Sequence, residues 1–175
     1  MRKSPFELRA ERTLRFLQET LPPPARLLDL GSRNTLSERM EALGYTVFNT
    51  SGDLDFSPDV VAREDVDAVT AFEILEHLVS PFPVLRAIKA PRLFASIPLR
   101  LWFARAYRNP NDPWDQHFHE FEDWQFDWLL EKAGWTIQRR EKWTSPARKL
   151  GIRPLLRRFT PRYYMIEATR TSSPG

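Results

Sequence analysis

One short stretch decides the fold: Leu28-Asp29-Leu30-Gly31-Ser32-Arg33-Asn34-Thr35. It begins inside an apolar run, residues 26–30, that stops at a glycine. A short apolar run of this kind is typical of a strand that is buried on both faces of a parallel sheet. Beyond the glycine, Thr35 and Glu38 have the spacing of a capping box, which marks the start of a helix. The stretch therefore predicts a buried strand, a tight turn at Gly31 and a helix.

The same alternation of apolar runs and helical spacing continues along the chain. Helices are predicted at 4–21, 35–43, 80–89 and 123–133. Strands are predicted at 26–30, 45–49, 60–62, 67–71, 91–97, 135–143 and 163–169. Because alternating strands and helices pair in parallel through right-handed crossovers, the pattern predicts an α/β fold with a Rossmann-like, mostly parallel sheet and helices on both faces. The last two strands have little helix between them, which predicts an antiparallel C-terminal edge hairpin.

The length of 175 residues suits one domain with a sizeable core. We expect residues 1–170 to form this domain, and we divide it into an N-terminal helix segment (1–24), a core (25–143), a basic insertion (144–162) and a last strand (163–170). The tail, 171–175, is expected to be disordered.

Composition excludes several kinds of protein. The chain has no cysteine, which excludes a disulfide framework, a thiolate zinc site and a cysteine nucleophile. No apolar run approaches the ~20 residues that a membrane-spanning helix needs. The N-terminal sequence also lacks the apolar core of a secretory leader, so we expect a cytoplasmic protein.

Positive charge is concentrated near the C-terminus, although the net charge is only +3. The stretch 145–162 contains no acid and six bases: Arg148, Lys149, Arg153, Arg157, Arg158 and Arg162. One interpretation is a surface insertion whose apolar residues pack on the sheet edge. The other is that residues 148–162 contact an anionic lipid surface or a phosphorylated substrate. The sequence leaves both interpretations open.

The turn at Gly31 resembles the first motif of the class I methyltransferases that use S-adenosylmethionine, an acid followed by alternating glycines. Asp29 and Gly31 match this motif, whereas Arg33 and Thr35 stand where the family usually has further glycines. The resemblance implies that Asp29, Gly31 and Ser32 bind the cofactor, S-adenosylmethionine. This cofactor has no phosphate to seat, so the lost glycines matter less than in a dinucleotide-binding fold, provided that Arg33 points away from it.

A second match is the segment Phe72-Glu73-Ile74-Leu75-Glu76-His77. It resembles the segment after the fourth strand in the small-molecule branch of the family, where a Leu-Glu-His sequence follows the strand. The resemblance implies that Phe72, Glu73 and His77 lie at the cofactor. Glu73 and His77 are four residues apart, which predicts that they share one face of a helix. In the alternative interpretation Glu76 is a solvated charge and His77 ends a helix.

A third match comprises His117, Glu120 and Phe121, followed by a helix that ends with an Ala-Gly-aromatic sequence at 133–135. It resembles the family's His-x-x-Glu-Phe segment and the helix after it. The three matches occur in the family's order and together cover about residues 25–143. Their order and spacing are more specific than any one of them.

His117 and His119 are the candidate catalytic residues. The unperturbed pKa of histidine lies near working pH, so either ring can accept a proton from a methyl acceptor. With Asp115, the two histidines could also be considered as metal ligands. Because the sequence offers no further ligand at a suitable spacing from this short segment, we predict no metal site there.

The end of the second strand departs from the family's pattern. Class I methyltransferases usually have an acid at this position, which binds both ribose hydroxyls, but here the position falls on Thr50 or Ser51. Asp53 and Asp55 are the nearest acids, and we expect one of them to take this role. The alternative is an ordinary solvent-exposed turn, since Gly-Asp and Ser-Pro are common turn sequences.

These matches predict an S-adenosylmethionine-dependent methyltransferase whose acceptor is a small molecule, a glycan precursor or a lipid head group. An anionic acceptor would suit the basic residues of the stretch 148–162. Methyl transfer is a direct displacement for which the protein mainly positions and desolvates the reactants. No specific nucleic-acid partner is expected, and the oligomeric state stays open. The alternative function is a methyltransferase-like binding or regulatory module with weak or no catalysis, suggested by the lost glycines and the displaced acid. A nucleotide-binding oxidoreductase is disfavoured by the poor glycine pattern.

Overall fold

The structure, a computed structural model, describes residues 4–112, 115–144 and 151–171. The helices are α1 (Pro5–Thr20), α2 (Thr35–Ala42), α3 (Pro81–Ala87), α4 (Asp123–Lys132) and α5 (Ile152–Phe159). The strands are β1 (Arg26–Asp29), β2 (Thr46–Asn49), β3 (Ala68–Phe72), β4 (Arg92–Pro98), β5 (Trp135–Thr144) and β6 (Pro161–Arg170). Two short 3-10 helices span Pro58–Val61 and Leu75–His77. Arg148, Lys149 and most of the expected disordered tail, 172–175, lie outside the described residues.

The six strands form one sheet in the order β2-β1-β3-β4-β6-β5. Strands β1 to β4 pair in parallel, and β6 is antiparallel to both β4 and β5. The predicted mostly parallel sheet with an antiparallel C-terminal pair is therefore confirmed. From β1 the chain places β2 on one side and β3 on the other, which creates a switch in strand order at β1. Ligands of open α/β sheets bind outside the carboxyl ends of the strands at such a switch.

Helices cover both faces of the sheet, as predicted. Successive sheet residues face opposite sides: Leu27 packs with α1 and α2, whereas Leu28 packs with α3 and α4. On the α1 face, Phe16 of the helix meets Phe94 of β4 edge-on, with ring centroids 6.4 Å apart. Both aromatic side chains are fully buried. The two apolar layers hold the sheet between the helices. The carboxyl ends of β1 to β3 lie outside these layers and are covered by loops.

The start of α1 is confirmed as predicted, while the start of α2 differs by one residue. Ser4 caps α1, and its hydroxyl accepts the N–H of Glu7. In α2 the cap is Asn34, whose Oδ1 accepts the N–H of Ser37, and the hydroxyl of Ser37 accepts the N–H of Asn34 in return. The predicted box of Thr35 and Glu38 is wrong because Asn34 caps one position earlier and places Thr35 inside the helix.

Two further local predictions are wrong. Residues 60–62 were predicted as a strand, but Pro58 begins a 3-10 helix there, and the N–H of Ala62 bonds back to the carbonyl of Asp59 at 3.0 Å. The helix that should place Glu73 and His77 on one face is only a three-residue turn, Leu75–His77. Glu73 lies outside this turn with a φ of 54°, which interrupts the helical path directly after β3.

Helix α5 occupies part of the basic insertion, where no regular element was predicted. None of its residues is buried. Among the described residues, no helix is both long enough and apolar enough to cross a membrane.

Replacing Leu17 tests whether the packing of α1 on the sheet stabilises the whole fold. Leu17 is fully buried, whereas Leu8 of the same helix is 54% exposed. We expect Leu17→Ala to lower the free energy of unfolding by about 2–5 kcal/mol, because it leaves a cavity. Leu8→Ala, the matched control, should change it by at most about 0.5 kcal/mol. Urea unfolding followed by circular dichroism measures both, and equal losses would show that α1 is not part of the cooperative core.

Candidate functional site

The turn after β1 is built around Gly31. Its φ is +95°, a backbone conformation that side chains rarely adopt, and a Cβ added here would lie 2.9 Å from Ile74 Cδ1. The N–H of Gly31 donates to Thr50 Oγ1 at 2.7 Å, and the Gly31 carbonyl accepts from Asn49 Nδ2 at 3.2 Å. The turn is therefore held from the end of β2 and has no room for a side chain.

Asp29 lies beneath this turn and not in the space above it. Its side chain is almost fully buried, and every partner is a neutral polar group of the fold. Oδ1 accepts from the Thr70 hydroxyl at 2.7 Å, and Oδ2 accepts from the Ser37 hydroxyl at 2.7 Å and from Asn49 Nδ2 at 3.3 Å. Burial raises the pKa of Asp29, and these hydrogen bonds oppose that rise. Asp29 is thus a positioning residue that joins β1, β2, β3 and α2.

A cleft of about 780 Å³ opens at the carboxyl ends of β1, β2 and β3. Its size is that of a small-molecule or cofactor site. The lining residues come from the loops after these strands and from the segment before α4: Gly31, Ser32, Gly52, Asp53, Leu54, Asp55, Phe56, Ile74, His77, Leu78, Val79, Ser80, Asp112, Asp115 and Phe118. The cleft thus lies at the switch in strand order, where a ligand site is expected.

The structure divides the predicted cofactor-binding residues into two groups. Gly31, Ser32, Asp53, Asp55 and His77 line the cleft. The other three predicted residues, Asp29, Phe72 and Glu73, are not among the lining residues.

Asp53 and Asp55 have different environments although both line the cleft. The two carboxylate oxygens of Asp55 accept the backbone N–H groups of Val79 and Ser80, each at 2.8 Å. Asp55 therefore holds the loop after β2 against the loop after β3. Asp53 is exposed and accepts the N–H of Asp55 through Oδ1 at 2.9 Å. The carboxylate of Asp53 therefore accepts fewer hydrogen bonds from the fold than the carboxylate of Asp55.

The side chain of Glu73 faces α1 and not the cleft. Its carboxylate accepts from Arg9 Nη1 at 2.9 Å and from the Ser96 hydroxyl at 3.2 Å. Burial raises the pKa of Glu73, and the charge of Arg9 opposes that rise. Phe72 packs in the same direction, against the apolar layer below α1. The geometry therefore does not support the predicted cofactor contacts of Phe72 and Glu73, because the alternation along β3 directs Phe72 toward α1, and Arg9 and Ser96 hold Glu73 there.

Three side chains, Glu76, His77 and His117, form what we call the acid–imidazole cluster. Their ligand-type atoms all lie within 4.8 Å of one another. Glu76 is only 1% exposed, so the interpretation of a solvated charge is wrong. Burial raises the pKa of Glu76 well above its ordinary value, and the nearby carboxylate of Glu73 raises it further. Burial also lowers the pKa of His117, and the charge of His77 adds to this effect. These effects favour the neutral form of the His117 ring.

The two predicted catalytic histidines are separated by the structure. The ring of His117 meets the ring of His77 edge-on, with centroids 4.8 Å apart. His119 Nε2 instead lies 3.1 Å from the carbonyl oxygen of Val79, and its ring stacks on Phe121. Only His117 therefore belongs to the cluster. The histidine-containing segment docks through its backbone, since the N–H groups of Phe118 and His119 both reach the Glu76 carbonyl, at 2.9 and 3.2 Å.

Sequence reasoning missed several residues that shape the site. Thr50 and Asn49 hold the glycine turn, and Phe118 lines the cleft from a distant segment. Asn49 and Thr50 could have been suspected from their place at the end of β2, but no local signal marks Phe118. Arg33 points away from the cleft, as the resemblance requires, and forms two bonds to the Glu41 carboxylate at 2.5 and 2.6 Å.

No protein-family model and no curated protein matches this sequence. Solved structures do match its fold. One is a SAM-dependent methyltransferase from Archaeoglobus fulgidus, with 17% identity, a TM-score of 0.63 and 95% of each chain covered. Another is an S-adenosylmethionine-dependent methyltransferase from Mesorhizobium loti, with 16% identity, a TM-score of 0.56, and 92% of this chain and 98% of that chain covered.

A third solved structure is the N-terminal domain of EvdMO1 with SAH bound. It has 14% identity and a TM-score of 0.51, and the match covers 98% of this chain and 83% of that chain. At these identities the similarity concerns the fold. The chain has the class I S-adenosylmethionine-dependent methyltransferase fold, which confirms the fold implied by the sequence resemblance.

Gly31 and Gly52 allow a matched test of the turn, because both have positive φ but only Gly31 is crowded. A Cβ at Gly52 would have nothing within 4 Å. We expect Gly52→Ala to lower the free energy of unfolding by about 1–2 kcal/mol, the cost of the backbone conformation. Gly31→Ala should cost a further ~1–3 kcal/mol, because its Cβ collides with Ile74. Denaturant unfolding of both variants measures the difference, and equal losses would show that Ile74 moves aside freely.

Proposed function

We propose that the chain is an S-adenosylmethionine-dependent methyltransferase that binds its cofactor in the cleft and methylates a small molecule, a glycan precursor or a lipid head group. The main support is the position of the cleft. The cleft lies at the switch in strand order, next to the turn at Gly31, which leaves no room for a side chain. The chain around it has the class I methyltransferase fold. The fold by itself does not determine a reaction, so the proposal depends on this site.

In this proposal the cofactor lies across the loops after β1 and β2. Asp53 would bind the ribose hydroxyls, because its carboxylate is exposed and less engaged than that of Asp55. Gly31 and Ser32 would approach the cofactor through their backbone. Apolar lining residues such as Phe56 offer surface for the adenine ring. Asp29 would act indirectly, by holding the turn in place.

The bound cofactor would supply the electrophilic methyl group on its sulfonium. The chain's own part is to hold the acceptor in line and to exclude water. A base is needed only if the acceptor must lose a proton. His117 is the candidate for this role: it does not itself line the cleft, but its ring meets that of His77, which does, and its lowered pKa favours a neutral ring that can accept a proton. We do not assign a catalytic role to His119, because its Nε2 faces the Val79 carbonyl.

The alternative function, a binding or regulatory module without catalysis, is weakened by one observation. The missing glycines suggested that the first motif had degenerated, but Arg33 is bound to Glu41 and does not fill the cleft. The proposal includes a cytoplasmic location and no specific nucleic-acid partner, as expected from the sequence. Cofactor binding without transfer to any acceptor would favour the alternative.

Calorimetric titration with S-adenosylmethionine and S-adenosylhomocysteine tests the cofactor site. We expect both to bind, and Asp53→Asn to weaken binding about tenfold or more, since a charged acceptor of ribose hydrogen bonds is lost. The asparagine keeps an oxygen for the Asp55 N–H, so the turn should survive. Asp59→Asn is the matched control: it removes the same charge from a residue outside the cleft and should leave the affinity unchanged.

No binding of either compound at millimolar concentration would overturn the proposed function. Equal affinities of wild type and Asp53→Asn would show that another group holds the ribose.

A further inference from the structure

We propose that the acid–imidazole cluster of Glu76, His77 and His117 is a binding site for one divalent transition-metal ion. Each residue offers one ligand atom, and the three atoms lie within 4.8 Å of one another. Two of the residues come from the turn after β3 and the third from the segment before α4. The docking of that segment on the Glu76 carbonyl fixes their separation. The site differs from the set of Asp115, His117 and His119 considered in the sequence.

The buried carboxylate of Glu76 is the first observation that indicates a cation-binding site. Its Oε2 is buried and has no hydrogen-bond partner among the described residues. Its Oε1 lies 3.8 Å from His77 Nε2, which is too far for a hydrogen bond. A buried polar atom without a partner is costly, and native structures rarely keep one without a ligand or a function. A cation between these groups would remove that cost.

The orientation of His77 is the second indication. Its Nδ1 lies 3.0 Å from the carbonyl oxygen of Gln116. A carbonyl can only accept, so this contact places a ring proton on Nδ1 and directs Nε2, the other ring nitrogen, toward the carboxylate of Glu76. Metal-binding histidines typically donate their second ring N–H to a carbonyl or a carboxylate in this way. The ring of His117 is held between His77 and Tyr107, at centroid distances of 4.8 and 4.5 Å.

The ligand set indicates the kind of ion and its use. Two imidazoles and one carboxylate suit zinc or iron better than magnesium. Three protein ligands leave positions open for substrate, as in catalytic metal sites. Because His77 lines the cleft, an acceptor oxygen in the cleft can reach the ion. The bound ion would lower the pKa of an acceptor hydroxyl and so promote loss of its proton. His117 would then be a metal ligand and not the base. This use of the ion rests on the proposed function. The metal site itself does not depend on it.

Titration of the full chain with Zn²⁺, after treatment with a chelator, tests the site. We expect one ion to bind per chain, with Mg²⁺ binding far more weakly. Glu76→Gln and His117→Ala should each weaken Zn²⁺ binding at least about tenfold, since even second-layer partners of metal ligands contribute that much. His119→Ala is the matched control, because His119 is only two residues from His117 but its ring faces the Val79 carbonyl. This variant should bind Zn²⁺ with the same affinity as wild type.

A thermal melt guards against misfolded variants. Zn²⁺ should raise the melting temperature of wild type and of His119→Ala but not that of a folded His117→Ala. The absence of one-to-one binding by folded wild type would overturn the metal site, as would an equal loss of affinity in His117→Ala and His119→Ala. Binding of S-adenosylhomocysteine is measured separately without metal, so the cofactor proposal and the metal proposal can fail independently.

A second, independent observation concerns α5, which we infer to lie on an anionic membrane surface. Its apolar residues Ile152, Leu155 and Phe159 recur at helical spacing, yet they are 79%, 58% and 73% exposed. A helix of a globular protein normally turns such a stripe toward the core. The remaining surface of α5 has no acid and three arginines: Arg153, Arg157 and Arg158.

An exposed apolar stripe flanked by arginines matches an interfacial helix, which buries its apolar face at the level of the lipid head groups. The charge favours an anionic surface over a neutral one. We prefer this interpretation of the basic insertion to packing on the sheet edge, because Ile152, Leu155 and Phe159 stay exposed although α5 lies against β5 and β6.

Flotation with phosphatidylglycerol and phosphatidylcholine vesicles tests this inference. We expect binding to the anionic vesicles, weakened by salt, and a loss of at least about tenfold in the double variant Ile152→Ser/Phe159→Ser. Leu8→Ser, at an exposed position of α1, is the matched control and should bind like wild type. Equal binding to both lipids, no binding by wild type, or an unaffected double variant would each overturn the inference.

Discussion

The structure depends most on the buried carboxylate of Asp29. Its hydrogen bonds reach Thr70 on β3, Asn49 on β2 and Ser37 on α2, so one side chain joins four elements. A buried carboxylate is stable only when such partners surround it. The need to satisfy these oxygens therefore fixes the relative positions of three strand ends and one helix start. The glycine turn and the cleft above it take their shape from that arrangement.

Asp29 and Glu76 are buried to the same degree, at 3% and 1% exposure, but have opposite environments. Both oxygens of Asp29 have donors within the fold, whereas Oε2 of Glu76 has none among the described residues. The first carboxylate is hydrogen-bonded at both oxygens within the fold and stabilises the scaffold. The second lies beside two imidazoles without a hydrogen bond to its Oε2, which indicates a role in function and not in stability.

The fold was predictable because its signals are local. Apart from 60–62, each apolar run that was predicted as a strand forms one, and the alternation of strands with helices restricts the topology. The direction of a side chain was not predictable. An acid at a strand end can face the cleft or the core, and Asp29 faces the core because Thr70, 41 residues away in the sequence, supplies a donor. The burial of Glu76 likewise depends on a distant segment that docks on its backbone.

The departures from the family's pattern form one connected change. Class I methyltransferases usually have an acid at the end of the second strand. In this chain the hydroxyl of Thr50 follows that strand and accepts the N–H of Gly31, so a neutral group contacts the turn. The acids then follow a few residues later, and Asp55 ties their loop to the loop after β3. That tie leaves Asp53 exposed at the cleft. Arg33, at a position where the family usually has a glycine, is drawn to Glu41 and leaves the same space open. Together these contacts leave the cleft open, although the glycine pattern of the first motif is incomplete.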